Sequence, residues 1–221
     1  MEQKGWHRHA PLTGVLFVVL VVAAFIVGGE TPDLEDSPLK ILKFYNDNDS
    51  EQMFAAALLA WGSVAFLFFL GVLRSVLQAA EGGVARLANV AFGGGILLAL
   101  GMLAFAGFTF TLADAADHLT PAAAQALNAL NTDFFFPLAA GLGALMISTG
   151  IVAIRAKVLP AWLGWITLLI GIAAITPIGF FAFLAFGLWS LVVSVMLWRA
   201  MAPAAPAPPA PPAPPAAPAG P

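Results

Sequence analysis

The sequence predicts an all-α integral membrane protein: a six-helix bundle that crosses the bilayer six times with both termini in the cytoplasm. Three observations predict this class. Hydrophobic residues make up 61% of the 221 positions and charged residues only 10%, whereas a soluble domain carries about 25% charged residues. The uncharged residues form long apolar runs. The lysines and arginines lie mainly in the segments that this topology places in the cytoplasm.

The apolar runs have the length of membrane spans, because a helix needs about 20 mostly apolar residues to cross a hydrocarbon core of about 30 Å. The predicted spans are residues 11–29, 53–73, 87–112, 134–154, 158–176 and 179–198. The last two form one stretch that is broken at Thr176-Pro177-Ile178-Gly179. Since proline removes a backbone donor and glycine permits a tight turn, the break predicts a helical hairpin.

The basic residues predict the orientation, because lysine and arginine concentrate on the cytoplasmic side of membrane proteins. Seven of the nine basic residues fall on the predicted inner side: Lys4, Arg8, Arg74, Arg86, Arg155, Lys157 and Arg199. The two others, Lys40 and Lys43, fall outside together with most of the acidic residues. A shift by one span would reverse this agreement in every later loop.

Two alternatives remain open from the sequence. Lys4 and Arg8 before an apolar run also describe a signal peptide, although no clear small-residue cleavage site follows Val27 and an uncleaved span is favoured. The segment Val158–Trp198 is also compatible with a re-entrant hairpin, whose flanks would lie on one side of the membrane. Each of its arms is nevertheless long enough to cross.

The chain divides into three parts. Residues 1–10 are predicted to be a cytoplasmic leader and residues 11–200 the transmembrane domain. Residues 201–221 consist almost entirely of proline and alanine. Such a composition cannot form a packed core, so we predict a disordered cytoplasmic tail.

Two outer loops are predicted to contain short amphipathic helices. Ser37-Pro38 and Thr120-Pro121 have the form of an N-cap followed by proline at the first helical position. Asp49, with Gln52 three residues later, is predicted to cap the second span, and Asp133 the fourth. The first of these helices is expected to lie on the outer membrane face. The similar spacing in both loops fits a diverged duplication or two common helix starts.

The tryptophans agree with these spans. Trp162 and Trp165 open the fifth span and Trp198 closes the sixth, so all three are predicted to anchor the cytoplasmic interface. Trp61 and Trp189 fall within spans, where the indole N–H requires a partner or a pocket between helices.

Glycines are concentrated in the third and fourth spans. The positions singled out are Gly93, Gly94, Gly95, Gly101, Gly141 and Gly143. Small residues let helix backbones approach closely, so tight packing is expected. The alternative is a ligand crevice, because three consecutive glycines weaken a helix.

Few residues have the pattern of a chemical site. Asp114, Asp117 and His118 share one face if the third helix continues outward, and such a set could hold a divalent cation. A solvated helix end is the more ordinary interpretation. The spans contain no ionisable side chain, which disfavours ion-coupled transport and intramembrane catalysis. No cofactor, no metal and no nucleic acid is predicted, and the expected partners are the lipid bilayer and further membrane proteins or a second copy.

One family resemblance rests on five sequence segments. They are Phe44-Tyr45, the stretch FLGVLRSVL at 69–77, Ala80-Glu81-Gly82-Gly83, VAFGGG at 90–95 and LPAWLGW at 159–165. Residues 11–200 resemble a group of uncharacterised multi-pass membrane proteins of high-GC Gram-positive bacteria. The resemblance implies a plasma-membrane location in a bacterium. It implies no activity and no functional residues.

The sequence therefore favours a non-enzymatic accessory or structural component of the cell envelope. The first alternative is a passive or lipid-type transporter that uses the glycine-rich crevice between spans three and four. The second is an outward-facing metal-dependent enzyme based on Asp114, Asp117 and His118.

Overall fold

The computed structural model describes residues 8–201, and within that range the chain is all-helical. After a 3₁₀ turn at Ala10–Leu12 come α1 (Thr13–Gly28), α2 (Pro38–Asp47), α3 (Asp49–Glu81), α4 (Arg86–Asp114), α5 (Pro121–Asp133), α6 (Phe135–Ala156), α7 (Ala161–Ala174) and α8 (Gly179–Ala200). The predictions for residues 1–7 of the leader and for the Pro/Ala tail after residue 201 lie outside the described residues.

Five helical stretches of the described chain are long and apolar enough to cross a membrane. They are Ala10–Gly28, Asp49–Glu81, Arg86–Asp114, Pro121–Ala156, which joins α5 and α6, and Gly179–Ala200. These stretches contain five of the six predicted spans almost entirely. The prediction of a multi-pass membrane protein is therefore supported by both length and composition.

The fifth predicted span is shorter than expected. It was predicted over residues 158–176, but α7 contains 14 residues, or about 21 Å of helix. Pro160 stands immediately before its first residue and Pro177 follows shortly after its last. Since the residue before a proline is driven out of the helical conformation, the two prolines define the limits of the helix.

The long helices pack as antiparallel neighbours in chain order. Contacts join α1 to α3, α3 to α4, α4 to α6, α6 to α7 and α7 to α8, and α8 also contacts α1. The guanidinium of Arg8 lies 5.9 Å from the ring centre of Trp198. The beginning of α1 and the end of α8 therefore lie at the same end of the molecule.

The chain from α7 to α8 extends along the full length of α6. At one end Gly164 lies against Ile154, and further along Gly143 lies against Ile175. Gly179, the first residue of α8, packs against Phe135, the first residue of α6. The short helix and the turn that follows it therefore span the same distance as α6.

An aromatic cluster fills the space between α1, α3 and α8. Phe17 lies 5.1 Å from Phe66 and 5.9 Å from Phe186, and Phe186 stacks on Trp189 at 6.0 Å. The indole of Trp189 donates a hydrogen bond to Oγ1 of Thr167 at 2.7 Å, so this tryptophan has the partner that its predicted position required. Trp61 is instead 58% exposed, so it lies in no pocket between helices.

Candidate functional site

The two ends of the molecule carry opposite charge. We define the acidic end as residues 29–52 and 114–133, which include α2 and α5, and the basic end as residues 8–12, 74–89, 155–165 and 198–199. Ten of the eleven acidic side chains of residues 8–201 lie at the acidic end: Glu30, Asp33, Glu35, Asp36, Asp47, Asp49, Glu51, Asp114, Asp117 and Asp133. Among the described residues, the basic end has one carboxylate, Glu81.

The helices α2 and α5 form a paired layer at the acidic end. The predicted N-caps are confirmed: Ser37 accepts a hydrogen bond from the amide of Lys40, and Thr120 from that of Ala123, both at 3.3 Å. The helix α2 does not simply lie on a membrane surface, because it packs against α5 and the end of α4. The apolar cluster beneath it consists of Ile41, Tyr45, Leu112, Ala116 and Ala124.

The other two predicted caps are wrong. Gln52 is buried, and its Nε2 donates a hydrogen bond to the carbonyl oxygen of Gly28 at 2.6 Å. Gln52 therefore provides a hydrogen-bond donor for a carbonyl group at the C-terminal end of α1 and does not cap the start of α3, whose N-cap is Asn48. Asp133 ends α5, and the N-cap of α6 is Phe134, which makes no side-chain cap hydrogen bond.

A buried polar cluster fixes the paired layer. The hydroxyl of Tyr45 donates to Oδ1 of Asn128 at 2.9 Å, and Nδ2 of Asn128 donates to the carbonyl oxygen of Pro32 at 3.2 Å. One tyrosine and one asparagine thereby join α2, α5 and the loop after α1. Hydrogen bonds of this kind are needed because unpaired polar groups are costly to bury.

A second asparagine ties α5 to α4. Nδ2 of Asn131 donates to Oγ1 of Thr109 at 3.3 Å, while Oδ1 of Asn131 is buried without a hydrogen-bond partner. Burial raises the pKa of Tyr45 to about 12. The phenol is therefore neutral at physiological pH and serves as a hydrogen-bond donor.

The predicted cluster of Asp114, Asp117 and His118 does not share a helical face. The helix α4 ends at Asp114, and residues 115–118 form turns. Asp117 and His118 are exposed, with 3.6 Å between the carboxylate oxygen and Nε2. In residues 8–201 no group of three His, Cys, Asp or Glu side chains is placed to hold a metal ion.

The glycines of α4 and α6 lie at a close helix contact, as the packing interpretation expects. A Cβ atom built on Gly94 would lie 2.6 Å from the backbone nitrogen of Leu145, and one on Gly141 would lie 2.5 Å from that of Leu98. Gly101 and Gly143 are also buried, against Leu138 and Ile175. Two clefts of about 310 and 410 Å³ open near residues 80–87 with 152–156 and near residues 153–161, away from these glycines.

The run of three glycines faces three different ways. Gly94 faces α6, Gly95 packs against Leu70 of α3, and Gly93 is exposed with nothing within 4 Å of an added Cβ. Helical geometry turns each successive residue by about 100°, so adjacent glycines cannot share one surface. Two of the three permit helix contacts, as the packing interpretation expects.

The predicted anchor tryptophans all lie at the basic end. Trp162 and Trp165 are 58% and 56% exposed in the first turns of α7. Trp198 is half-buried beside Arg8, and its Nε1 has no hydrogen-bond partner. This placement is the one expected for interfacial anchors.

Glu81 closes the basic end of the α3–α4 hairpin. Its carboxylate accepts hydrogen bonds from the backbone amides of Leu87 at 3.0 Å and Ala88 at 2.8 Å, at the start of α4. These hydrogen bonds lower the pKa of Glu81. The turn in between requires left-handed backbone at Gly82 and Gly83, and also at Ala85.

Arg74, Gln78 and Asn89 form a polar cluster on the exposed side of the same hairpin. The guanidinium of Arg74 lies 4.5 Å from the ring centre of Phe92 and 3.5 Å from Oδ1 of Asn89. Nε2 of Gln78 lies 3.4 Å from the same oxygen. The sequence placed Arg74 after the second span, but its pairing with Asn89 was not foreseen.

No family model matches this chain, and the comparisons with curated proteins and with solved structures found no match. The resemblance to multi-pass proteins of high-GC Gram-positive bacteria therefore stays a prediction.

Proposed function

We propose that this chain is a non-enzymatic accessory component of a bacterial plasma membrane that crosses the bilayer six times with both termini inside. The five long apolar helices support a membrane location. The contact of Arg8 with Trp198 supports an even number of crossings. The short α7 and the turn after it extend along the whole of α6, which supports the interpretation that α7 crosses the membrane. The excess of arginine and lysine at the basic end supports the inward orientation of that end.

The observation that carries the accessory role is the fixed layer of α2 and α5. The buried hydrogen bond between Tyr45 and Asn128 holds these two surface helices together. The outward side of the layer presents solvated acidic residues and the apolar side chain of Leu39, which is 69% exposed. A surface held in one shape by buried polar contacts is suited to recognition by another protein. The packed interior supports the same role, because no Asp, Glu, His, Lys or Arg is buried within residues 8–201.

Cross-linking in native membranes tests this role. The chain contains no cysteine, so a cysteine at Leu39 can carry a photoreactive group without further changes. We expect one discrete adduct with an envelope protein or a second copy, and its loss when Asn128→Ala loosens the layer. A cysteine at Val84, which is 74% exposed at the basic end, is the matched control and should not give that adduct.

Reconstitution tests the non-transport part of the proposal. Proteoliposomes with the purified chain should release trapped ions, sugars and fluorescent lipids at the rate of protein-free vesicles. Selective acceleration for one solute or lipid, or the absence of any adduct from position 39, would overturn the accessory role.

A further inference from the structure

We propose that the outer surface of the α3–α4 hairpin binds one anionic phospholipid, with its phosphate at Arg74, Gln78 and Asn89 and an acyl chain along the surface of Gly71 and Gly93. This site goes beyond the accessory role and lies at the other end of the molecule. It requires only that the hairpin is in a bilayer.

The depth of Arg74 suits a lipid phosphate. It precedes the end of α3 by seven residues, which is about 10 Å of helix. Its side chain is half-buried between the two helices and reaches the level of Asn89, in the first turn of α4. Arginine at such a position extends its charged group toward the headgroup layer while its stem packs on apolar surface.

The charge of Arg74 is not compensated within the described residues. The ion pairs there are Lys40–Asp36, Lys43–Asp47 and the contact of Asp117 with His118, all at the acidic end. The one carboxylate at the basic end, Glu81, is engaged by two backbone amides. Nε of Arg74 has no hydrogen-bond partner. A phosphate supplies the missing negative charge, and guanidinium binds phosphate oxygens strongly.

The neighbouring amides complete the recognition of a phosphate diester. Asn89 and Gln78 both converge near Arg74, and their NH₂ groups are donors for phosphate or glycerol oxygens. Phe92 holds the guanidinium plane by a cation–π contact. The cluster therefore offers one fixed cation and two amide groups.

The surface beneath this cluster leaves room for a hydrocarbon chain. Gly71 precedes Arg74 by three residues and Gly93 follows Asn89 by four, so helical spacing puts both on the same exposed side, one turn further from the basic end. A Cβ atom at either position would meet nothing within 4 Å. The contact of Gly95 with Leu70 shows that the helices are in register at this depth.

Native mass spectrometry of the full chain, equilibrated with equal amounts of phosphatidylglycerol and phosphatidylcholine, tests the headgroup. We expect one retained phosphatidylglycerol per chain. Arg74→Gln should lower its retention at least about tenfold, as expected for losing charge-assisted hydrogen bonds, and Arg74→Lys should lower it less. Arg199→Gln is the matched control, because it removes a basic residue of the same end that lies on another helix, α8.

The acyl chain is tested separately. Gly71→Leu leaves every polar group in place and should lower retention as well, whereas Gly107→Leu should not. Gly107 is a matched control because a Cβ there also meets nothing within 4 Å. Glycerol phosphate alone, in excess, should fail to displace the lipid.

Each contrary outcome overturns the site. Equal loss in Arg199→Gln would mean non-specific attraction to the basic end. Displacement by glycerol phosphate, or full retention in Gly71→Leu, would mean a free anion site without a lipid chain. Equal retention of both lipids by the unmodified chain would show that the site does not select an anionic headgroup. None of these results depends on which protein, if any, the acidic end binds.

Discussion

The hydroxyl of Tyr45 donates a hydrogen bond to Oδ1 of Asn128 at 2.9 Å and so joins two short helices through residues that are 83 positions apart in the chain. Both groups are buried, and Asn128 uses its own NH₂ group on the carbonyl oxygen of Pro32. The order of the acidic end therefore depends on a polar contact between α2 and α5 and not on helix propensity alone.

Tyr45→Phe should destabilise the α2–α5 layer by about 1–3 kcal/mol, because it leaves Oδ1 of Asn128 buried and unpaired. Hydrogen exchange of the α2 and α5 amides in detergent or nanodiscs measures this change. A double-mutant cycle with Asn128→Ala should give a smaller effect than the two single changes added together. Simple additivity would contradict a direct interaction, and Asn46→Ala on the exposed side of α2 should be nearly neutral.

The phenol of Tyr45 should titrate near pH 12. It is the only tyrosine of the chain, so the tyrosinate absorbance reports on one residue. Burial raises its pKa to about 12, whereas an unfolded tyrosine titrates near 10. The phenol keeps its proton to a higher pH in the folded state than in the unfolded state, so the free energy of unfolding should fall as pH rises from about 10 to about 12. A midpoint near 10 in folded protein would show that the phenol is exposed.

Gly94→Ala should lower the thermal stability of the purified protein strongly, because the new methyl group would meet backbone atoms of α6. Backbone cannot move aside as a flexible side chain can, so the cost should reach or exceed the 1–3 kcal/mol typical of overpacking. Gly107→Ala is the control and should be neutral or slightly stabilising, since alanine is the better helix former. Equal melting temperatures for both variants would contradict the close contact.

Glu81→Gln should loosen the start of α4. The charged carboxylate accepts two backbone hydrogen bonds. The neutral amide of glutamine is a weaker acceptor, and it lacks the negative charge that interacts favourably with the positive N-terminal end of the helix dipole. Because the pKa of Glu81 is lowered, its contribution is present above the unfolded pKa of about 4.3 and is lost as pH falls through the folded pKa. Faster amide exchange at Leu87 and Ala88 in the variant, but not in Glu35→Gln, is the expected result.

The sequence was informative where a structure depends on neighbours along the chain. Ser37 and Thr120 were predicted as caps because the cap and its amide are three residues apart. The apolar runs likewise predicted the extent of five of the six spans, and Thr176-Pro177 marked the break before α8.

Long-range partners could not be predicted in the same way. Gln52 has the spacing of a local cap but bonds Gly28 of another helix, because the C-terminal carbonyls of α1 also need donors. Gly93, Gly94 and Gly95 look alike in the sequence, and only the positions of α3 and α6 show which of them are in contact. Nothing in the sequence pairs Tyr45 with Asn128.

Cysteine accessibility at Pro177 tests the six-crossing account most directly. Pro177 lies in the turn between α7 and α8, so its side of the membrane decides whether the short α7 crosses. Reference cysteines at Asn46, in α2, and at Val84, between α3 and α4, mark the two sides. In intact cells a membrane-impermeant maleimide should modify positions 46 and 177, and position 84 only after permeabilisation. If position 177 behaves like position 84, the segment is a re-entrant hairpin and the six-crossing account is wrong.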